Sequence, residues 1–199
     1  ILNYRLEETF EINAENRPPD TSTVFFLTDG RANPVDQIEA LTYWMHPQEL
    51  ALVRIITIVN CALGQAHNAL FAWYEACIHF SDVVLLNKRT DKTEKWVKTF
   101  RTHFHKHCYP CEFQLVKKGK VANPTTALDD QTRRLTLIFD NLADSCTSPN
   151  IFEDSAGDWE LQDEKHTKEF DPEIQPDPYF KRLPNGRRAK PIPDIAQYL

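Results

Sequence analysis

Two groups of side chains in this sequence have the types and spacing that chemistry requires. The first is His103-x-His105-x-His107-Cys108-x-x-Cys111. On a helix, His103 and His107 stand one turn apart and share a face, while His105 points elsewhere. Cys108 and Cys111 would follow at the helix exit, and two imidazoles with two thiolates form the tetrahedral set that zinc prefers. The competing reading is a solvated helix end, where histidines sit favourably near the negative pole of the dipole. A redox role for Cys108-Tyr109-Pro110-Cys111 is weaker, because reactive pairs open a helix whereas this one follows a helix. The second group is polar and lies just after apolar runs: Asp29-Gly30-Arg31, Asn60-Cys61, Asn87-Lys88-Arg89-Thr90-Asp91 and Lys117-Lys118. An acid such as Asp29 in that position suits a hydrolase that activates water. Thr28-Asp29-Gly30 and Asp154-Ser155-Ala156-Gly157 echo the loops of aspartic peptidases only loosely, and those enzymes have a different fold.

The elements that would position these residues follow from hydrophobic periodicity. Residues 23 to 28 predict a buried strand, and Asn33-Pro34 then supplies an N-cap and an N1 proline. Val35, Ile38, Leu41 and Met45 follow at helical spacing. Residues 53 to 59 predict a second buried strand, 66 to 80 a helix, and 82 to 86 a third strand. The pattern continues with a helix over 93 to 107, a strand over 112 to 116, and a helix over 126 to 142. Residues 2 to 12 fit an edge strand or one helical face equally well. Alternating strands and helices predict an α/β fold with a mostly parallel sheet and helices on both faces. In such sheets ligands bind beyond the carboxyl ends of the strands, so the second polar group falls where a site is expected.

The spelling of those strand ends adds a resemblance. Asp82-Val83-Val84-Leu85-Leu86-Asn87-Lys88, with Asp91 beyond, resembles the base-reading segment of P-loop GTPases, the CobW-like metallochaperones above all. Thr28-Asp29-Gly30-Arg31-Ala32-Asn33-Pro34 resembles the phosphate-facing segment of that family, and Ile55 to Asn60 its central strand. The resemblance covers roughly residues 20 to 122 and implies a P-loop GTPase-like three-layer sandwich. It also implies Asn87, Lys88 and Asp91 on a guanine base, Asp29, Gly30 and Asn60 toward phosphate and magnesium, and a metal-receiving client protein as partner. The departures are specific. Leu27 stands where the family has Glu, Asn60 where it has Asp, and Asn87-Lys88-Arg89-Thr90-Asp91 is one residue too long. The family's Cys-x-Cys-Cys metal motif is missing as well. Gly30, Gly64, Gly119, Gly157 and Gly186 are too far apart to build a phosphate loop. A piece of a longer chain and a divergent relative both fit this pattern, and Leu27 and Asn60 favour the second. The functional expectation is therefore a metal-handling or interaction domain with impaired or absent GTP hydrolysis. A nucleotide-independent zinc module and an acid-dependent hydrolase using Asp29 are the alternatives.

Composition bounds these readings. The chain of 199 residues has a net charge of −6, which argues against general nucleic-acid affinity. No apolar run approaches the ~20 residues of a membrane span. Five cysteines are sparse and odd in number, pointing to a reducing compartment, and the polar start Ile1 to Arg5 is unlike a secretory signal. A cytoplasmic location is expected. Residues 1 to 142 are nearly neutral, whereas 143 to 199 carry 12 acids, 7 bases and 7 of the 13 prolines. That division predicts an α/β domain over 1–142, with an extended proline-rich strap or tail over 143–199.

Overall fold

The computed structural model describes residues 5–6, 12–13, 23–45, 47, 50–129, 131–139 and 177–199. Its elements in chain order begin with two short strands, β1 (Arg5–Leu6) and β2 (Ile12–Asn13), paired with each other antiparallel. Next come helix α1 (Pro34–Met45), strand β3 (Ile56–Asn60), and helices α2 (Cys61–Ala66) and α3 (Leu70–His79). Strand β4 (Val83–Asn87), helix α4 (Glu94–Lys106), strands β5 (Glu112–Lys117) and β6 (Lys120–Val121), and helix α5 (Pro124–Ala127) complete the body. Local chemistry sets the helix starts. The Asn33 side chain accepts from Val35 N at 2.9 Å, with Pro34 preset for the first turn. Asn60 caps α2 and Asn123 caps α5 in the same way.

The larger sheet has the order β3-β4-β5-β6, its first three strands parallel and β6 antiparallel to β5. Both parallel connections step in the same direction, and right-handed crossovers of that kind lay their helices on one face. The packing agrees: α3 and α4 meet over Val59, Val84 and Leu86, with Phe71 against Phe100 at 5.7 Å and Tyr74 against Phe100 at 6.1 Å. Burying side chains such as Phe100, Phe104 and Leu86 contributes roughly 1.5–3 kcal/mol each, so this layer carries much of the stability. Helix α1 packs on the far side of α3, where Val35 and Ile38 meet Ala76 and Phe80.

The N-terminal ends of the strands are tied by one buried acid. Asp82 accepts Ile55 N at 2.8 Å, Arg133 N at 2.8 Å and both carboxylate contacts of Arg134 Nη1 at 3.1 and 3.2 Å. Its main chain bonds Ile55 O and receives Glu112 N, so the starts of three strands converge on it. The described C-terminal residues lie against the body. Tyr179 is buried beside Phe80, His79 Nε2 meets Asp177 Oδ2 at 2.7 Å, and Arg188 reaches both Asp36 and Glu39. Pro184 to Gly186 turn this segment back on itself, with Gly186 at φ 80 where a side chain would be strained.

Several expectations are corrected. Residues 23 to 28 stand outside the strands formed among the described residues, and Phe25 is 86 % and Leu27 84 % exposed. Strand β3 begins later than expected and is not buried throughout, since Ile58 is 63 % exposed. Among the described residues the helices pack on one face of the sheet, and Ile56 and Ile58 on the other face are exposed. The helix expected over 126 to 142 shrinks to α5, because the Arg133 amide and the Arg134 side chain are drawn to Asp82 instead of a helical ladder. Residues 140 to 142 of that expected helix lie outside the described residues, as do 143 to 176 of the expected tail. Helix α2 was not expected from periodicity.

Candidate functional site

The carboxyl ends of β3 and β4 meet in register, Asn60 directly opposite Asn87. This is the part of the rim that the sequence pattern anticipated. Each amide is already engaged. Asn60 Oδ1 accepts Leu63 N at 3.2 Å, and Asn87 Oδ1 accepts Lys88 N at 2.8 Å. Lys88 takes φ 52, a left-handed conformation that costs about 1 kcal/mol for a residue with a Cβ and turns the chain sharply off the sheet. Asp91 then opens a short 3₁₀ turn that Thr90 and Thr93 cap reciprocally, and Gln65 Nε2 holds this turn from α2 through Lys92 O at 2.8 Å. Lys88 and Asp91 are both exposed.

The Asp29–Gly30 loop is not brought onto that rim. Residues 23 to 29 are not a strand of the sheet, so the loop after them is fastened to α1 instead. The buried Gln37 amide accepts Asp29 N at 2.7 Å and donates to Asp29 O at 2.9 Å, while Asp29 Oδ1 accepts Arg31 N. Asp29 thus serves a turn, and Gly30 has open space around it.

The histidine–cysteine group is only partly assembled. His103 and His107 do share a face, their ring centroids 4.2 Å apart, and His107 Nδ1 lies 2.8 Å from His103 O. His103 turns toward α3, edge-on to Phe71 and 3.8 Å from Glu75 Oε1. Cys108 is exposed at φ 55 just past the helix, whereas Cys111 is buried and burial pushes its thiol up to about 12. Among the described residues no three His, Cys, Asp or Glu side chains gather where one ion could be held. Cys61 and Cys77 are likewise pushed up by burial, to about 11 and about 12. Cys146 lies outside the described residues.

No protein-family model, no curated protein and no solved structure matches this chain.

One concavity of about 530 Å³ stands beside the rim, between the outer side of α4 and β5. Its floor is apolar, formed by Val97, Tyr109, Cys111, Phe113 and Leu115. Arg89, Lys98, Arg101 and His105 border it, with Glu94 the single acid. Periodicity did not reveal this groove, because α4 reads simply as an amphipathic helix. A running charge count marks the segment that borders it: residues 88 to 120 carry ten bases and three acids, a net of +7 inside a chain of −6. No helix among the described residues is long and apolar enough to cross a membrane.

Proposed function

We propose that this chain is a divergent CobW-like α/β domain that binds without hydrolysing, an interaction or metal-handling module in which GTP turnover is impaired or absent. The observation that carries the reading is the use made of Asn60. Where the resemblance expects an acid beside a magnesium-bound phosphate, the side chain is an amide whose oxygen caps α2. A neutral amide committed to a helix start neither holds a divalent cation firmly nor draws a proton from water. Leu27 has no group to polarise water, and Asp29 is engaged in the turn before α1. The residues present therefore do not fit a magnesium-activated hydrolytic centre. What remains on the rim is Asn87, Lys88 and Asp91, at the place where parallel sheets take their ligands.

The test is a phosphate-release assay with GTP and magnesium on the intact chain. The expected rate equals the protein-free blank. Magnesium-dependent release that disappears in Lys88→Ala would overturn the non-hydrolytic reading.

A further inference from the structure

The groove along α4 and β5 shares Arg89 with the strand-end rim but lies apart from the His103–His107 pair, and its chemistry is of another kind. Charge is the first observation. Arg54, Arg133, Arg134, Arg182 and Arg188 each reach a carboxylate. Among the described residues, none of the ten bases between 88 and 120 does so. Three of them, Arg89, Lys98 and Arg101, border the groove, and cations gathered there without a carboxylate repel one another and favour an anionic occupant.

The second observation is the strand beside them. Strand β6 pairs only with Val116 and Lys117, so Glu112 to Leu115 present an outer edge with no described partner. An open edge offers main-chain hydrogen bonds to an added extended segment. The apolar floor adds the third. Leu115 is 39 % exposed, in a groove whose other walls are Val97 and Phe113.

We infer that this groove is a docking site for an extended acidic peptide of a partner protein, carrying at least one aliphatic or aromatic anchor. The peptide's backbone lies along the β5 edge, its anchor sits over Leu115 and Phe113, and its carboxylates meet Lys98, Arg101 and Arg89. Single-stranded nucleic acid would also answer the charge but lacks a platform here. Tyr109 and Phe113 turn their rings against Phe104, at 4.9 and 5.8 Å, and neither is free to stack a base on both sides.

The test uses fluorescence anisotropy on the full chain with three labelled probes. These are a peptide of about ten residues, Glu-rich with one central Phe, its all-Glu counterpart, and an oligothymidine of similar charge. The Phe-containing peptide is expected to bind most tightly and to weaken with added salt. Lys98→Glu/Arg101→Glu should reduce its affinity by roughly tenfold or more. Both positions are exposed, so circular dichroism should be unchanged. Leu115→Ser should weaken the Phe-containing peptide while leaving the all-Glu peptide as before. The inference is overturned if no peptide binds at millimolar concentration, if the oligothymidine binds more tightly, or if the charge reversals leave peptide affinity unchanged.

Discussion

At the scale of single residues, Asp82 ties together the starts of three strands and two arginine-bearing positions beyond them. Its carboxylate is fully buried and Arg134 is 1 % exposed, so both charges have left water, and Arg54 stands 4.0 Å from the same acid. Breaking such a cluster from the acid side costs far more than it contributes over an apolar replacement, because buried positive charge loses its carboxylate. Asp82→Asn keeps the shape and removes the charge. It should lower unfolding free energy by about 3–5 kcal/mol in urea titration. A loss under about 1 kcal/mol would show that water already reaches this cluster. The sequence resemblance singles out the same segment for its far end, Asn87 and Lys88. Within that segment, stability rests on the start of β4, and the proposed function on its carboxyl end.

Elements meet where their residues permit close approach, and α2 is the clearest case. Gly64 lies against α4 so tightly that an added Cβ would stand 2.6 Å from Trp96 Cζ2 and 3.2 Å from Tyr74 Cε2. Trp96 has little room to retreat, being stacked on Phe100 at 4.6 Å. Replacing glycine by alanine inside a helix ordinarily gains about 1 kcal/mol. Overpacking of this kind costs about 1–3 kcal/mol, so the steric term should win. Gly64→Ala is expected to lower the melting temperature, and Trp96→Phe in the same background should recover part of the loss. A rise in melting temperature on Gly64→Ala alone would mean that α2 shifts freely over α4. The same packing explains why residues 61 to 66 form a helix that periodicity missed: six residues are too few to show a 3.6 period, and Asn60 starts the helix with a cap.

For the whole molecule, the described C-terminal residues are joined to the body by charge as well as by Tyr179. Burial pushes the Asp177 carboxyl up, but the hydrogen bond from His79, the Tyr179 amide and the Thr136 hydroxyl together outweigh burial and hold it below its ordinary value. A depressed carboxylate contributes stability that is fully present above its unfolded pKa, near 4, and is lost as pH falls through the lower folded value. Urea midpoints of the wild-type chain should therefore fall on acidification below about pH 4. Asp177→Asn should be less stable at neutral pH and show a shallower fall over that acid range. Equal slopes in the two proteins would assign the acid sensitivity to other carboxylates. Charge at this scale also reverses the impression left by the total. A net of −6 discouraged polyanion partners, yet the 33 residues from 88 to 120 are strongly basic, and three of their bases, Arg89, Lys98 and Arg101, border one groove.

The parallel core was legible because its residues declare both period and partner. Residues 82 to 86, 93 to 107 and 112 to 116 were expected nearly where β4, α4 and β5 stand, their apolar residues spaced for the faces they bury. Residues 23 to 28 were as apolar as any strand, but an apolar run records a need for burial and not the neighbour that meets it. Phe25 and Leu27 are exposed, and the Asp29 turn is fastened to Gln37 of α1 rather than to the sheet strands described. The expected helix over 126 to 142 failed for a related reason, since no local pattern announces that Arg134 will be buried against an acid 52 positions earlier. By itself the sequence determined the α/β alternation and the amides at the ends of β3 and β4, because both follow from local spacing. Only the tertiary structure decided which polar residues share a site, which thiols are buried, and that Arg89, Lys98 and Arg101 border one groove. Those are properties of distance in space, which the order of residues does not contain.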